Sequence, residues 1–162
     1  MSVVLWHPRK SRLSTLIDQP GGLSVGVALT QAKANLEALQ AESQAIVSAR
    51  IAELVSLQPP TADHPEPMQV LAHAYHLSSA VIDAAGPFER DDLCTAAAGL
   101  CDLIDAAPTD RPFDWRLVTV HAQAMKLILS LPPEANDARA VVLANLRMVL
   151  EKKIPVYIDQ PD

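Results

Sequence analysis

The stretch LAHAYHLSSAVIDAAGPFERDDLCTAAAGLCDLIDAAP, residues 71–108, decides the fold. Its apolar residues recur every three or four positions on both sides of one break, Gly86-Pro87, and little in it alternates with the period of a strand. Before the break, Leu71, Tyr75, Ser78, Ile82 and Ala85 form a stripe, with Leu77, Val81 and Ala84 beside it. After it, Leu93, Ala96, Ala97, Leu100, Cys101, Leu103 and Ile104 share one side of a helical wheel, opposite Arg90, Thr95, Gly99 and Asp102. Glu89, Asp91 and Asp92 suit a helix N-terminus, where backbone dipoles favour negative charge. The spacing predicts helices over about 66–85 and 89–107. A loop this short makes the two antiparallel neighbours.

The same punctuation extends outward. Ten of the 13 prolines cluster at 59–67, 108–112, 132–133 and 155–161, between apolar periodic segments. Further helices are predicted over about 113–131 and 134–153. In the first, Leu117, Val120, Ala124, Leu127, Ile128 and Leu131 are expected to face inward, and Arg116, Thr119, Gln123, Lys126 and Ser130 outward. In the second, Ala138, Val141, Val142, Leu146 and Val149 form the stripe. A long helix over about 25–58, capped by Ser24, carries Leu29, Ala32, Leu36, Leu39, Ser43, Ile46 and Leu54 at 3–4 spacing. The expected architecture is all-α. An antiparallel four-helix bundle over 66–154 follows the long helix and a proline-rich linker at 59–65. Residues 1–24 form an irregular N-terminal arm, tied down through Leu13, Leu16 and Ile17, and 155–162 form a tail.

Composition narrows the function classes. Apolar residues make up 49% of the 162 but aromatics only 4%, so Ala, Leu, Val and Ile build the core of one ordinary domain. A net charge of −6 offers little to a nucleic-acid backbone or an anionic membrane. The one basic cluster is Arg9, Lys10 and Arg12. Only Val3 to Trp6 precede it as an apolar run, too short for a signal-peptide core, and a cytoplasmic location is expected. Cys94 and Cys101 lie about 10 Å apart along one helix, too far for a disulfide that needs Cα atoms within roughly 7 Å. They read as reduced, buried core residues.

His73 and His76 are the candidate chemistry. With Gln69, Ala80 and Asp83 they fall within about 80° of one another on the wheel, on a polar face beside the small residues Ala72, Ser79 and Ala80. One reading is a solvated helix face. A metal site lacks ligands, since structural zinc takes about four and no carboxylate or spare cysteine stands at a suitable spacing. No metal and no cofactor is expected. The sharper reading is phosphoryl transfer: an exposed imidazole on a rigid helix is a nucleophile near neutral pH, and small neighbours let a partner's loops approach. His121 falls on the apolar side of its helix and reads as a core histidine with one hydrogen bond. His64 belongs to the linker and His7 to the arm. No Ser-His-Asp or Cys-His arrangement and no phosphate-binding glycine loop is present; QPGGLSVG, residues 19–26, lacks the Gly-Lys-Ser/Thr ending.

Around His76 the chain resembles the histidine-phosphotransfer (HPt) domains of two-component signalling. Their signature sets a Leu two residues after the histidine, then Lys-Gly, then a Gly about ten residues on. Here those places hold Ser78, Ser79-Ala80 and Gly86, with Leu77 and Leu93 as apolar anchors. The resemblance covers about 60 residues. The stretches LIDQPGGLSVGVALTQAKANLEAL and AAAGLCDLIDA are similar to small alphaproteobacterial chemotaxis accessory proteins of the CheE type. The Asp-x-x-x-Gln and Glu-x-x-Asn signatures of helical chemotaxis phosphatases are absent. The resemblance implies a signalling protein that docks response-regulator receivers, with His76 as phosphoacceptor and Gln69, His73, Ser79, Ala80 and Asp83 as partner surface. A non-enzymatic adaptor or assembly module, with a homo-oligomer through the long first helix, is the alternative.

Overall fold

A computed structural model of the chain describes residues 24–61, 66–108 and 111–154. The expectations placed on Arg9, Lys10, Arg12, Leu13, Leu16, Ile17, His7, His64 and the tail lie outside these residues. The described chain is helical, with no strand among the described residues: α1 Val25–Ser56, α2 Pro67–Ala85, a 3-10 turn Gly86–Phe88, α3 Asp91–Asp105, α4 Arg116–Ser130 and α5 Asn136–Lys153. It divides into two compact units, Met1–Leu39 and Gln40–Asp162. In the first, every described residue is exposed. Apart from the Ser24 cap of α1, every contact given below lies within the second.

Local chemistry starts and stops these helices. Ser24 Oγ accepts the N–H of Val27, capping α1, and Pro59-Pro60 follow its end. Pro67 opens α2, where a missing N–H costs nothing. Its other end falls at Ala85, as expected, and is closed by the turn that follows. Gly86 keeps right-handed helical angles, and the left-handed residue is Glu89, with φ of 56°. The N–H of Glu89 donates to Gly86 O (3.2 Å) and that of Arg90 to Ala85 O (3.4 Å). This is a Schellman closure with glutamate at the place glycine prefers. Helix α3 therefore starts at Asp91, where Asp92 Oδ1 accepts the N–H of Leu93 at 2.8 Å.

Helix α3 is central because its inward residues are small or fully buried. Leu93, Ala97 and Leu100 are fully buried, and Ala96 is nearly so. On one side it meets α2: the Cys94 thiol lies 3.9 Å from Ile82 O, and Tyr75 lies within electrostatic reach of Cys101 and Asp105. On another it meets α4 and α5. A Cβ at Gly99 would stand 3.2 Å from Leu150 Cδ1 and 3.6 Å from His121 Nε2. The C-terminal part of α1 lies along α2, Ser43 donating its hydroxyl to Ala84 O and Glu53 reaching His73. These pairs run in opposite chain order, so the two segments are antiparallel.

The buried faces correct several expectations. In α4 the core residues are Leu117, Val118, His121, Ala122, Met125 and Ile128, whereas Val120 and Leu127 are 46% and 47% exposed. In α5 only Leu146 and Leu150 are buried, and Ala138 and Val141 are exposed. In α1, Ser43, Val47, Ile51 and Leu54 are buried, but Leu29, Ala32, Leu36, Leu39 and Ile46 are exposed. In α2, Tyr75 and Ile82 are half-buried while Ala74, Leu77 and Val81 go fully inside. Cys101 is buried as expected, but Cys94 is only half-buried.

Candidate functional site

Helix α2 buries Leu71, Ala74, Leu77, Ser78, Val81 and Ala85, which leaves one strip facing out. On it Gln69, Ala72, His73, His76 and Asp83 are exposed, and Ser79 and Ala80 are half-buried at its margin. The residues singled out from sequence therefore do lie together on an accessible face. The rigidity comes from beneath: Ser78 satisfies its buried hydroxyl by donating to Ala74 O at 2.9 Å, inside a wall of aliphatic side chains.

The two histidines differ in their surroundings. His73 Nε2 is 3.0 Å from Glu53 Oε1 on α1, both side chains being partly exposed. His76 meets the ring of Tyr75 edge-on, centroids 6.2 Å apart and planes at 88°. Beside it opens a shallow groove of about 330 Å³ between α2 and the end of α3. Met68, Ala72, Tyr75 and His76 line one bank, and Ile104, Asp105 and Ala107 the other. The carboxylate of Asp105, with the Cys101 thiol, burial and Asp102 behind it, pushes the Tyr75 phenol above its usual range, so it remains a proton donor at neutral pH. No lysine or arginine is among the described residues lining this groove. Glu53 and Tyr75 were not picked out from the sequence. Glu53 is 20 residues from His73 across the proline-rich segment and carries no local signal; Tyr75 sits in the apolar stripe and reads as core.

Two other polar clusters serve the framework. Arg139 on α5 donates to the carbonyls of Leu131, Pro132 and Pro133 at 2.9–3.0 Å and lies 3.0 Å from Asp92. Asp114 accepts from Arg116 (2.8 Å) and Lys153 (3.1 Å), and the Arg116 guanidinium, ahead of Lys153, holds its carboxyl well below the usual range. His121 is fully buried, its Nδ1 2.9 Å from Leu117 O, as expected for a core histidine. A carbonyl only accepts, so Nδ1 carries the hydrogen. Nε2 has no hydrogen-bond partner among the described residues.

No family model, no curated protein and no solved structure matches this chain.

Among the described residues no helix is long and apolar enough to cross a membrane. Nor does any group of three or more His, Cys, Asp or Glu side chains among them stand where it could hold a metal ion.

Proposed function

We propose that this chain is a signalling protein of the two-component or chemotaxis type, docking response-regulator receiver domains on the α2 face and accepting phosphoryl at His76. One observation carries the reading: His76 stands exposed on a helix whose opposite side is locked into the core, between a small-residue margin (Ser79, Ala80) and an apolar groove. In the transfer, an unprotonated ring nitrogen of His76 attacks phosphorus of the receiver's aspartyl phosphate. An N–P bond forms, the P–O bond to the aspartate breaks, and the carboxylate leaves with the electron pair. The ring proton on the other nitrogen stays or is lost to solvent according to pH.

The scaffold we read for this is α2–α5 as an up-down-up-down antiparallel bundle, with the C-terminal part of α1 laid along α2. Support comes from pairs met in opposite chain order: Ile82 with Cys94 and Tyr75 with Cys101, then Leu131 with Arg139 and Asp114 with Lys153.

A second reading has its own support. Ser79 and Ala80 stand where the resembled family carries Lys-Gly, and no lysine or arginine is among the described residues lining the groove to offset a phosphoryl charge. On that reading the face docks a partner without accepting phosphoryl, as a helical adaptor. Incubation with a phosphorylated receiver separates the two. Acid-labile, base-stable phosphate on the chain, lost in His76→Ala, supports transfer. Saturable binding with no transferred phosphate supports docking alone, and neither result leaves the face without this role.

A further inference from the structure

The first turns of α1 carry an apolar seam that no described residue covers. Val25, Leu29, Leu36 and Leu39 are 76%, 57%, 51% and 55% exposed, and Ala32, between them, is exposed too. Their spacing is 4-3-4-3, the a/d repeat of a coiled coil, and it confines them to about 80° of the helix. The seam is not a scatter of single surface leucines, which would need no explanation. From Val25 to Glu42 the only charged residues are Lys33, Glu37 and Glu42, and none occupies an a or d position. Ala28 and Ala32 leave room for another helix backbone to come close.

We infer that this seam pairs with the same seam of a second copy of the chain. Three features favour a copy over another partner. The seam is self-complementary, since the smaller Val25 and Ala32 flank Leu29 and precede the pair Leu36 and Leu39, which lets large residues of one copy fit beside small ones of the other in an antiparallel pairing. Its charge is close to balanced, so identical helices do not repel, and a strongly charged partner would find little to pair with. The area matches a reversible homodimer. A strip about 22 Å long and half the girth of a helix is roughly 350 Å² per copy, so the pair buries about 700 Å², well under what a stable specific interface needs. The dimer is therefore weak, with dissociation expected at roughly 10–100 µM. This inference does not depend on His76, and either can fail without the other.

Sedimentation of the full chain from about 5 to 300 µM tests it across that range. The mass is expected to climb from 17.4 kDa toward twice that value. Leu29→Glu with Leu36→Glu should hold it at 17.4 kDa at every concentration, with the helical circular dichroism retained because both side chains are more than half exposed. The milder Leu36→Gln should weaken association at least about tenfold, and Met148→Glu on α5, also exposed, should leave it unchanged. A wild-type chain that stays at 17.4 kDa throughout overturns the inference and returns the seam to residues 1–23 or to a different protein's helix. Association that survives the double substitution overturns it equally.

Discussion

His73 is tied to Glu53 at 3.0 Å, and His76, three residues further along α2, has no ion-pair partner among the described residues. One histidine thus reaches across to α1, while the other stands exposed beside the ring of Tyr75. Both substitutions to alanine should cost little stability, within about 0.5 kcal/mol, because the His73–Glu53 pair is solvent-screened and His76 is exposed. Their effects on a phosphorylated receiver should diverge. His76→Ala abolishes transfer, His73→Ala leaves a phosphorylated His76, and Ala80→Arg blocks docking by bulk and charge. Radiolabel transfer read beside thermal melts checks all three; equal loss in His73→Ala and His76→Ala would contradict the division of roles.

Arg139 closes the α4–α5 connection. Its guanidinium serves the carbonyls of Leu131, Pro132 and Pro133, which follow a helix end where carbonyls lack intrahelical partners. Its Nε lies 3.0 Å from Asp92 Oδ2 yet makes no aligned hydrogen bond, so that contact is an ion pair, 13% and 14% exposed on its two sides. Removing it leaves the half-buried Leu131 carbonyl without this donor and Asp92 with Arg90 alone as ion-pair partner, while the exposed carbonyls of Pro132 and Pro133 turn to water. Arg139→Met should lose about 1–2 kcal/mol in urea unfolding. Arg139→Lys should recover less than half of that, because an ammonium cannot span three carbonyls.

Glu89 occupies the left-handed C′ position with φ of 56° and an exposed side chain. A non-glycine residue there costs roughly 1–2 kcal/mol, offset partly by the chain entropy that glycine adds to the unfolded state. Glu89→Gly is accordingly expected to stabilise the protein by about 0.5–1 kcal/mol. A lower urea midpoint in this variant would mean that Glu89 contributes a contact worth more than its strain.

Burial first, then the carboxylates of Asp105 and Asp102, pushes the Cys101 thiol up to about 11. At pH 8 its thiolate fraction is then on the order of one in a thousand. Cys94 is raised too, chiefly by burial, but is only half-buried. With an aromatic disulfide reagent, Cys101 should stay unmodified in the folded chain and Cys94 should react slowly, while urea releases both. Rapid native modification of Cys101 would show that α3 opens readily.

Helix number and the proline breaks were legible because each apolar segment is long and sharply bounded. Facing was legible only where one side is plainly polar. In α3, Thr95 is exposed and Arg90 and Asp102 are partly so, and the inward set is as expected apart from Ile104, which is half-buried; Gly99, expected on the outer side, instead packs against Leu150 and His121 because α4 and α5 cover that side. In α4, Leu117, Val118, Val120, Ala122, Ala124, Met125, Leu127 and Ile128 surround most of the helix, and only the placement of α3 and α5 selects among them. The true face is turned by roughly 100° from the expected one. The exposure of His73 and His76 was legible because apolar residues bracket them on both sides. The hold of Glu53 was not, since it depends on where α1 lies against α2.

The pH dependence of folding rests on His121. Its Nδ1–H donates to Leu117 O, its Nε2 faces Gly99 without a hydrogen-bond partner among the described residues, and Leu150 packs over the same glycine. Burial lowers its pKa from the ordinary 6.5, against a smaller opposing effect of the Leu117 hydrogen bond. Unfolded chains therefore bind the proton that the folded chain refuses. Stability is complete above about pH 6.5 and falls as pH drops from there toward the lower folded value, by up to about 1.4 kcal/mol per unit. Asp114 also has a depressed pKa, but its contribution is lost only as pH falls below the ordinary 3.8, outside this window. Between pH 7 and 5 the urea midpoint of the wild type should decline, while His121→Leu, which removes the titrating ring but keeps an apolar filling, should decline much less. Parallel slopes in the two proteins would show that the proton goes elsewhere and that the buried imidazole is already protonated or shielded.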